Sequence, residues 1–509
     1  MKWAWFCGVA LWALACSTGG SSGAAAGSGG GAGSIGPGGA AGGPGAAGGA
    51  NAPVTGAVGS GGTPGGSGGA AGDTGGMGPP GTGGVDPGGG PPIGTGGSPG
   101  KGALPPTNGP SPLTPGGPPC PDLFDEDEVR TYALDIAPDV WSSILGEFND
   151  LTSLLARGND FVVRHPVVVH MGNETVTGAT LKLHGQSSWA ETVMLDGARA
   201  KIQFDLSFHQ SDPNGKFHGV EKLVFDMPRS DWTFLHDRLA HAWFRQVGIA
   251  AGCAASARVE INGAYYGLYV AEENTNKRVL AQFFPDNTGG LWKAGQQPET
   301  SATLQAGNVS RQMAFAKAKD LPAIAAIVDL KSSVLEWAGE ALINDADGFY
   351  GGTHNFYVYD YGGKGFVYLP NDTDSTFDWM VQNDITPANA HPIAWWLNRT
   401  QPQPPPPTVW TVALSDPGWR AQYVAAIAAQ LGKWNVAQIQ GWIDTWSQQI
   451  AAAVTSDPHT VVTPAQFQMA VAQARDVVAK RAQYLQSFVA CEQKRTTPPS
   501  AGAADLSCP

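Results

Sequence analysis

The sequence has little positive charge, few cysteines and no long apolar run at its start. Its 30 Lys and Arg residues are outnumbered by 43 Asp and Glu residues, which gives a net charge of −13. Because no basic cluster recurs along one face, the charge pattern does not point to nucleic acid as a partner. No Cys-x-x-Cys or mixed Cys/His spacing indicates structural zinc. The apolar run at residues 3–15 is too short to cross a bilayer as a helix.

The first residues predict export from a bacterial cytoplasm. Met1 and Lys2 precede the apolar run, which has the length of an export-signal core. The small residues just before Cys16 resemble a lipoprotein cleavage site, with Cys16 as the lipidated first residue. Ordinary cleavage near Cys16 is the alternative. We therefore expect residues 1–16 to be a signal and the protein to lie at the cell envelope or surface, lipid-anchored or else secreted.

Residues 17–118 form a low-complexity segment of Gly, Ala, Ser, Pro and Thr. The segment lacks the triplet period of collagen and has hardly any charged or large apolar side chain, so it cannot build a core. A flexible tether of roughly 100 such residues has a root-mean-square reach of about 50–60 Å. We predict a disordered spacer that holds a folded domain clear of a surface.

Four cysteines remain after the signal, and all lie at or beyond the start of the folded region. An even number of cysteines in an exported chain permits disulfides in any of three pairings. The simplest pairing joins Cys120 to Cys491, because that bond would connect the two ends of the domain. The four are Cys120, Cys253, Cys491 and Cys508.

The region from residue 119 to 495 is predicted to be strand-rich at first and helical later. One helix is expected in the first half, at residues 231–247 with Ser230 or Asp231 as its cap, followed by a hairpin around the Asn262-Gly263 turn. Apolar and β-branched runs predict strands at residues 161–169, 176–183, 201–208 and 220–225. Later helices are predicted at residues 425–431, 436–454 and 464–489.

Two acidic clusters flank a predicted β-hairpin with a Gly-Gly turn. Asp345 and Asp347 precede its first strand, and Asp372 and Asp374 follow its second. Because a hairpin places its two ends side by side, the four carboxylates are expected to lie near each other. Paired acidic loops suit a divalent cation and a phosphoryl-transfer site. The predicted strands are residues 356–359 and 366–369.

Further motifs follow one another along the folded region. They are His184-Gly185-Gln186-Ser187-Ser188, Lys201, Phe204-Asp-Leu-Ser-Phe208, Asp231, Leu235, Asp237, Leu239, Ile261-Asn262-Gly263, Tyr266-Gly267-Leu268-Tyr269, Glu273, Gly290-Leu291-Trp292-Lys293, both acidic clusters, Trp419, Arg420, Tyr423, Arg481, Tyr484 and Leu485. In this order they resemble the CotH kinase family, typified by spore-coat protein H. The resemblance implies an α+β, atypical protein-kinase-like fold, with a strand-rich N-lobe at about 119–290, a helical C-lobe at about 291–495 and a tail at 496–509.

The resemblance also implies an activity: transfer of the ATP γ-phosphate to Ser or Thr hydroxyls of a protein, with Mg²⁺ or Mn²⁺. Asp347 corresponds to the catalytic carboxylate. Asp372 and Asp374 correspond to metal ligands, with Asn355 as a nearby polar ligand. The implied ATP-binding residues are Gly185, Gln186, Ser187, Ser188, Lys201, Glu273 and Lys293.

The sequence departs from the family at three positions, and other interpretations remain open. His184 replaces a usual Arg, Asn371 replaces a usual Trp, and Gly352 stands where Asn is common. A mostly neutral imidazole then replaces a permanent positive charge. One alternative is therefore a catalytically weak or inactive surface protein for adhesion or structural binding. No residue pattern identifies the protein substrate, a surface partner or the oligomeric state.

Two further alternatives concern the acidic residues and one lysine. Residues 372–376 also fit the Asp-x-Asp-x-Thr pattern of haloacid-dehalogenase phosphatases. That fold needs alternating strands and helices after the motif, whereas mainly helices follow here. Taken without the family, the carboxylates are also compatible with solvated turns, and Lys201 with an exposed strand position.

Overall fold

A computed structural model describes residues 120–508, without 157–160, 186, 228, 350, 352–353, 378–387, 395–406 and 497–506. The predicted signal and spacer, together with Gln186 and Gly352, lie outside the described residues. Within the described part of the chain, no helix combines the length and the apolar character needed to cross a membrane.

A closed barrel of seven strands occupies the first half of the described chain. The strands are β1 (Arg130–Asp135), β2 (His165–Met171), β3 (Glu174–His184), β4 (Gln203–Ser207), β5 (Lys222–Asp226), β6 (Ala254–Ile261) and β7 (Ala264–Glu273). They neighbour one another in the order β1-β2-β3-β4-β5-β7-β6, and β1 closes the barrel by pairing with β6 in parallel. Tyr132, Phe204, Phe225 and Tyr269 form a chain of ring contacts in its core.

Five α-helices accompany the barrel strands among the described residues of the first half. They are α1 (Pro138–Asn149), α2 (Leu151–Ala156), α3 (Ser187–Leu195), α4 (His236–Val247) and α5 (Lys277–Phe283). Helix α4 begins later than predicted because Asp231 and its neighbours form a loop. The Asp231 carboxylate accepts hydrogen bonds from the backbone N–H groups of Leu235 and His236, both at 2.8 Å. Asp231 thus stabilises the start of the helix from outside it.

A second, four-stranded sheet follows the barrel. Its strands are β8 (Leu291–Lys293), β9 (Gln297–Pro298), β10 (Phe356–Asp360) and β11 (Phe366–Pro370), in the order β11-β10-β8-β9. The predicted hairpin is confirmed, since β10 and β11 pair antiparallel with Val358 opposite Tyr368. An antiparallel sheet of this kind is not the parallel sheet that a haloacid-dehalogenase phosphatase requires.

The remaining helices pack around this sheet and against each other. They are α6 (Ala306–Lys317), α7 (Leu321–Ala325), α8 (Leu330–Ile343), α9 (Thr408–Ser415), α10 (Pro417–Leu431), α11 (Val436–Ser456) and α12 (Pro464–Gln493). The start of α12 has a capping box: the Thr463 hydroxyl accepts from Gln466 N–H, and the Gln466 side chain accepts from Thr463 N–H. The three predicted late helices are confirmed as parts of α10, α11 and α12.

The disulfides join neighbours rather than the two ends of the domain. Cys120 bonds to Cys253 and Cys491 bonds to Cys508, so the predicted Cys120–Cys491 pairing is wrong. Parallel pairing of β1 with β6 brings the segments before the two strands together, which places Cys120 beside Cys253. Cys491 lies in the last turn of α12, and the chain returns to it only 17 residues later.

The α+β class is confirmed, but two features of the architecture differ from the prediction. Closure of the first strands into a barrel was not predicted. In the region after residue 290, predicted to be helical apart from the hairpin, β8 and β9 extend the hairpin into a four-stranded sheet. The Asn262-Gly263 hairpin forms as expected, with both residues at positive φ, 50° and 79°.

Glu336 gives the core of α8 a pH dependence. Its side chain is 2 % exposed. Burial raises its pKa to about 8, and the charge of Asp345 contributes to the same shift. The folded chain therefore keeps this carboxyl protonated at pH values where the unfolded chain ionises it.

We expect the free energy of unfolding of the wild type to fall, relative to Glu336→Gln, as the pH rises from about 5 to about 8. The slope should be about 1.4 kcal/mol per pH unit, because the unfolded state releases a proton that the folded state retains. Urea denaturation at several pH values measures the difference. Exposed Glu128→Gln is the control, and wild-type and Glu336→Gln curves that stay parallel across this range would contradict the expectation.

Candidate active site

The structure brings the two acidic clusters together. The backbone N–H of Ala346 donates to the carbonyl of Ser375 at 2.9 Å, and that of Phe377 donates to Ile343 O at 2.8 Å. The loop after β11 is therefore fastened to the end of α8 and to the loop that follows it. This contact joins the segment of Asp345 and Asp347 to the segment of Asp372 and Asp374.

Asp372 has a backbone conformation that is uncommon for a residue with a side chain. Its φ is 53°, in the left-handed region. The next residue is held by helix α4: Thr373 N–H and Oγ1 both donate to Asp237 Oδ1, at 2.8 and 2.9 Å. The Asp374 carbonyl accepts from His236 Nδ1 at 2.8 Å. Helix α4 thus fixes a loop whose strained residue carries a candidate metal ligand.

Three carboxylates of this region are close enough to share one cation. Asp226, Asp372 and Asp374 each offer an oxygen, and these oxygens lie within 4.8 Å of one another. Sequence analysis missed Asp226, which ends β5. It directly follows the apolar residues 223–225, much as the Asp372 cluster follows an apolar strand. An Asp at the end of an apolar run was therefore the sequence signal that could have identified it. Oxygen donors of this kind suit Mg²⁺, Mn²⁺ or Ca²⁺.

The acidic residues are held in an environment that opposes their negative charge. Burial raises the pKa of Asp372, and the charge of Asp347 raises it further, whereas Lys293 and His354 lower it. Burial and neighbouring carboxylates raise the pKa of Asp374 well above its usual value. Because a bound divalent cation favours the charged forms, the arrangement fits a cation.

Asp347 lies at the edge of this group, in contact with Asn355. The Asn355 side-chain N–H donates to Asp347 Oδ2 at 3.1 Å, and Asn355 N–H donates to Asp347 O at 2.9 Å. The Asp347 side chain is 36 % exposed, so a second molecule can reach it. Asp345 is fully buried and accepts from Asp347 N–H and Gly348 N–H, which makes it a turn-forming residue.

A cleft of about 330 Å³ lies between the barrel and the second sheet. Asp226, Asp372 and Asp374 line one part of it. Among the predicted ligand-binding residues, Asn355, Gly185, Ser188 and Lys293 also line it. Gln186 lies outside the described residues, and Ser187 begins α3. Glu273 lines a smaller, adjoining cavity of about 50 Å³.

Among the described residues of the predicted loop, Gly185 has an identity that the geometry explains. Its φ is 96°, and a Cβ at this position would overlap the side-chain oxygen of Gln203. Ser188 Oγ donates to that same oxygen at 3.1 Å. Glycine therefore permits the close approach of the chain at the wall of the cleft.

Lys201 and Glu273 are not brought together, and Lys201 does not line the cleft. Lys201 is 1 % exposed, and its Nζ lies 2.7 Å from Asp457 Oδ2 and donates to Leu268 O at 2.8 Å. Glu273 forms an ion pair with Arg278 instead. Lys201 is occupied in joining the barrel to the end of α11, so the nucleotide role implied for it finds no support in its position.

Other lysines, missed by sequence analysis, line the cleft. Lys182 on β3 and Lys222 on β5 each lie 3.7 Å from the carboxylate of Asp205. Arg164 lies 2.7 Å from the same carboxylate, so three cations surround one buried anion. The signal for them was weak, because single lysines in strands are usually exposed. Around Asp205 the positive charges outnumber the negative one, and this local excess suits an anionic ligand.

His184 ends β3 and lines both the cleft and the adjoining smaller cavity. Burial lowers its pKa to about 3, and the charge of Lys293 lowers it further. Its imidazole is therefore neutral at pH 7, as the replacement of Arg by His predicts. The positive charge of the cleft comes from Lys182, Lys222 and Lys293.

The fold and the cleft define an α+β protein whose cleft is lined by clustered carboxylates and by lysines. The family model of CotH kinase protein matches residues 181–485, more than half of the 509-residue chain, and this chain belongs to the CotH kinase family. The matched segment begins in β3 and ends in α12, so it contains the acidic triplet and the cleft lysines. No curated protein matches the chain.

Proposed function

We propose that this chain is an atypical protein kinase that transfers the γ-phosphate of ATP to Ser or Thr hydroxyls of a protein. The observation that carries the proposal is the cleft, whose lining includes both a carboxylate triplet and three lysines. Phosphoryl transfer depends mainly on positioning and on neutralising phosphate charge, and the two groups of side chains supply these functions. The kinase-like, two-lobed arrangement of the fold is part of this proposal.

Different residues of the cleft would bind the metal and accept the proton. Asp226, Asp372 and Asp374 would hold Mg²⁺ or Mn²⁺, with the side-chain oxygen of Asn355 as a further donor. The cation, when bound, offsets charge on the phosphates. Asp347 would accept the proton of the substrate hydroxyl, since its carboxylate is partly exposed and oriented by Asn355.

Three lysines would bind the phosphates of ATP in place of Lys201. Lys182 and Lys222 reach the cleft from β3 and β5, the two neighbours of β4 in the barrel, and Lys293 reaches it from β8. The backbone at Gly185 lies beside them and carries no side chain that would block a phosphate. This assignment differs from the implied family role of Lys201 because Lys201 is buried against Asp457.

The full chain, incubated with labelled ATP and Mg²⁺ or Mn²⁺, tests the activity. We expect label on the chain itself or on a generic basic protein, and no label when EDTA removes the metal. Absence of both phosphate transfer and metal-dependent ATP binding would refute the proposal. Binding of ATP without transfer would refute catalysis while supporting the cleft as a nucleotide site.

A surface-binding protein without catalysis is the second candidate, and the neutral His184 favours it. An imidazole at this position supplies no permanent charge to the phosphates. The same cleft would then serve a partner at the cell surface. Failure of the ATP assays, together with retention of the chain on whole cells, would favour this candidate.

We also propose that the domain works outside the cytoplasm, at the end of the spacer and with Cys16 as a lipid anchor. The structure has two disulfides, Cys120–Cys253 and Cys491–Cys508. They support this location, because disulfides form and persist in oxidising compartments outside the cytoplasm. Labelling of cells with a radioactive fatty acid, with Cys16→Ser beside the wild type, tests the anchor. Equal labelling of both would refute it.

Replacing Lys182 or Lys222 with Met is expected to raise the KM for ATP about tenfold. Each change removes one charge-assisted contact with phosphate, and about 1.4 kcal/mol corresponds to that factor. Initial rates at varied ATP concentration measure the effect. Lys480→Met is the matched control, because Lys480 is an exposed residue of α12; an equal KM for all variants would exclude these lysines from the nucleotide site.

A further inference from the structure

A second group of carboxylates lies beside the acidic triplet, on its barrel side. Asp226, Asp237 and Glu272 offer oxygens that lie within 4.8 Å of one another. They come from the end of β5, the first turn of α4 and the penultimate position of β7. Asp226 belongs to both groups, so the two groups adjoin. None of its three carboxylates comes from the loop that carries Asp372.

Asp237 has a buried oxygen without a hydrogen-bond partner in the described part of the chain. Its side chain is 0 % exposed, and its Oδ1 accepts both hydrogen bonds from Thr373. Its Oδ2 accepts none, and neither does the buried Oε1 of Glu272. A buried carboxylate oxygen left in this state costs free energy unless something other than a hydrogen bond satisfies it. A cation satisfies it directly.

In their ionised forms, the two groups together also carry more negative charge than one divalent cation offsets. Five carboxylates, from the two triplets with Asp226 counted once, lie in this region. A single divalent ion compensates two negative charges. A second divalent ion on the barrel side, bonded to the oxygens that lack partners, brings the region closer to neutrality.

A cavity lies beside two of the three carboxylates. Asp226 and Glu272 line the cavity of about 50 Å³, which His241 also lines. About 10–15 Å³ suffices for one water, so the cavity has room for water ligands. His241 Nδ1 lies 3.0 Å from Gly252 O and is therefore the donor, which leaves Nε2 as an acceptor without a partner among the described residues.

We propose that Asp226, Asp237 and Glu272 bind a second hard divalent cation, of the class of Mg²⁺, Mn²⁺ or Ca²⁺, in the absence of nucleotide. The class follows from the oxygen donors. We expect this cation to bind without nucleotide because three carboxylates of the protein coordinate it. No phosphate oxygen is then needed as a ligand. This inference goes beyond the proposed function, because it requires neither ATP nor transfer.

Binding of Mn²⁺ to the full chain without nucleotide tests the inference, with free Mn²⁺ measured by electron paramagnetic resonance. We expect the wild type to bind Mn²⁺ and Asp237→Asn to lose affinity for this ion by at least tenfold. Asn keeps the side-chain oxygen that accepts from Thr373, so the change is conservative. Asp374→Asn is the matched control: it removes a ligand of the other group and is expected to retain this binding.

A thermal-unfolding measurement gives a readout that does not depend on activity. In EDTA, Asp237→Asn should have a higher Tm than the wild type, because it removes an unsatisfied buried charge. Added Mn²⁺ should raise the Tm of the wild type and of Asp374→Asn more than that of Asp237→Asn. Glu272→Gln serves the same purpose if Asp237→Asn does not fold.

Two results would overturn the inference: no Mn²⁺ binding by the wild type without nucleotide, or unchanged affinity in Asp237→Asn and Glu272→Gln. Neither result bears on phosphate transfer, which is assayed with ATP. Conversely, a chain without kinase activity that binds Mn²⁺ through Asp237 would refute the proposed function and support this site.

Discussion

Replacing Asp372 with Asn is expected to reduce phosphate transfer by about 10²-fold or more. The change removes a charged ligand from the triplet that would hold the cation, and a loss of several kcal/mol of charge stabilisation lowers a rate about tenfold for each 1.4 kcal/mol. Initial rates with labelled ATP at saturating Mg²⁺ measure it. Metal-dependent ATP binding should weaken in the same variant.

Asn is a suitable replacement because of the backbone at this position. Asp372 has a φ of 53°, and Asn adopts the left-handed region about as readily as Asp does. The neighbouring contacts of Thr373 with Asp237 do not involve the Asp372 side chain. In EDTA the variant should be at least as stable as the wild type, since it removes one of several adjacent negative charges.

The control for this experiment is Asp476→Asn, which removes an exposed carboxylate on α12 and should leave transfer unchanged. If Asp372→Asn transferred phosphate at the wild-type rate, Asp372 would not be a metal ligand. If Asp372→Asn lost transfer and also unfolded at a much lower temperature in EDTA, the loss of activity would be due to a destabilised fold. Transfer by Asp374→Asn would then test whether the triplet binds the metal.

The local part of the site is predictable from the sequence, and the long-range part is not. The hairpin β10–β11 follows from two aromatic-rich runs and a Gly-Gly turn, and a hairpin necessarily brings Asp347 near Asp372. Asp226 and Glu272 reach the same place only because β5 pairs with β7, with β6 between them in the chain. No pattern within either strand reveals that pairing.

The closure of the barrel is another long-range feature that the sequence pattern does not predict. Its last pairing joins β1 to β6 in parallel, across more than a hundred residues, and a period-two strand pattern gives no sign of such a partner. The error over Cys120 follows directly, because the partner of this cysteine depends on that pairing. By contrast, helix boundaries set by local caps, such as the one at Thr463, agree with the sequence.

The position of a lysine illustrates how burial changes a role that a motif implies. Lys182 and Lys201 lie on or next to neighbouring strands of one barrel, β3 and β4. Only Lys182 lines the cleft, whereas Lys201 turns away from it to Asp457. A sequence pattern places a residue near a strand, but it does not determine which side of the barrel wall its charge reaches.

Replacing Lys201 with Met is expected to lower the free energy of unfolding by about 3–5 kcal/mol, because it leaves a buried carboxylate without its partner. Lys201 and Asp457 are 1 % and 5 % exposed, and their charged atoms are 2.7 Å apart. Asp457 Oδ2 also accepts from Leu268 N–H at 2.9 Å, so it cannot move away to solvent without losing that bond. Urea denaturation measures the change.

The double variant Lys201→Met with Asp457→Leu separates charge from packing. It removes both charges, so we expect it to recover part of the stability that Lys201→Met loses, as buried ion pairs replaced by apolar groups often do. The matched single control is Lys331→Met, which removes an exposed lysine of α8 and should change stability little.

The same variant decides between two roles for Lys201. If Lys201 joins the barrel to α11, Lys201→Met lowers stability while the KM for ATP, measured at a temperature where the variant is folded, stays near the wild-type value. If Lys201 binds ATP as the family resemblance implies, KM rises while stability changes little. The buried contact with Asp457 and the separation from the cleft favour the first result, and with it the assignment of the phosphates to Lys182, Lys222 and Lys293.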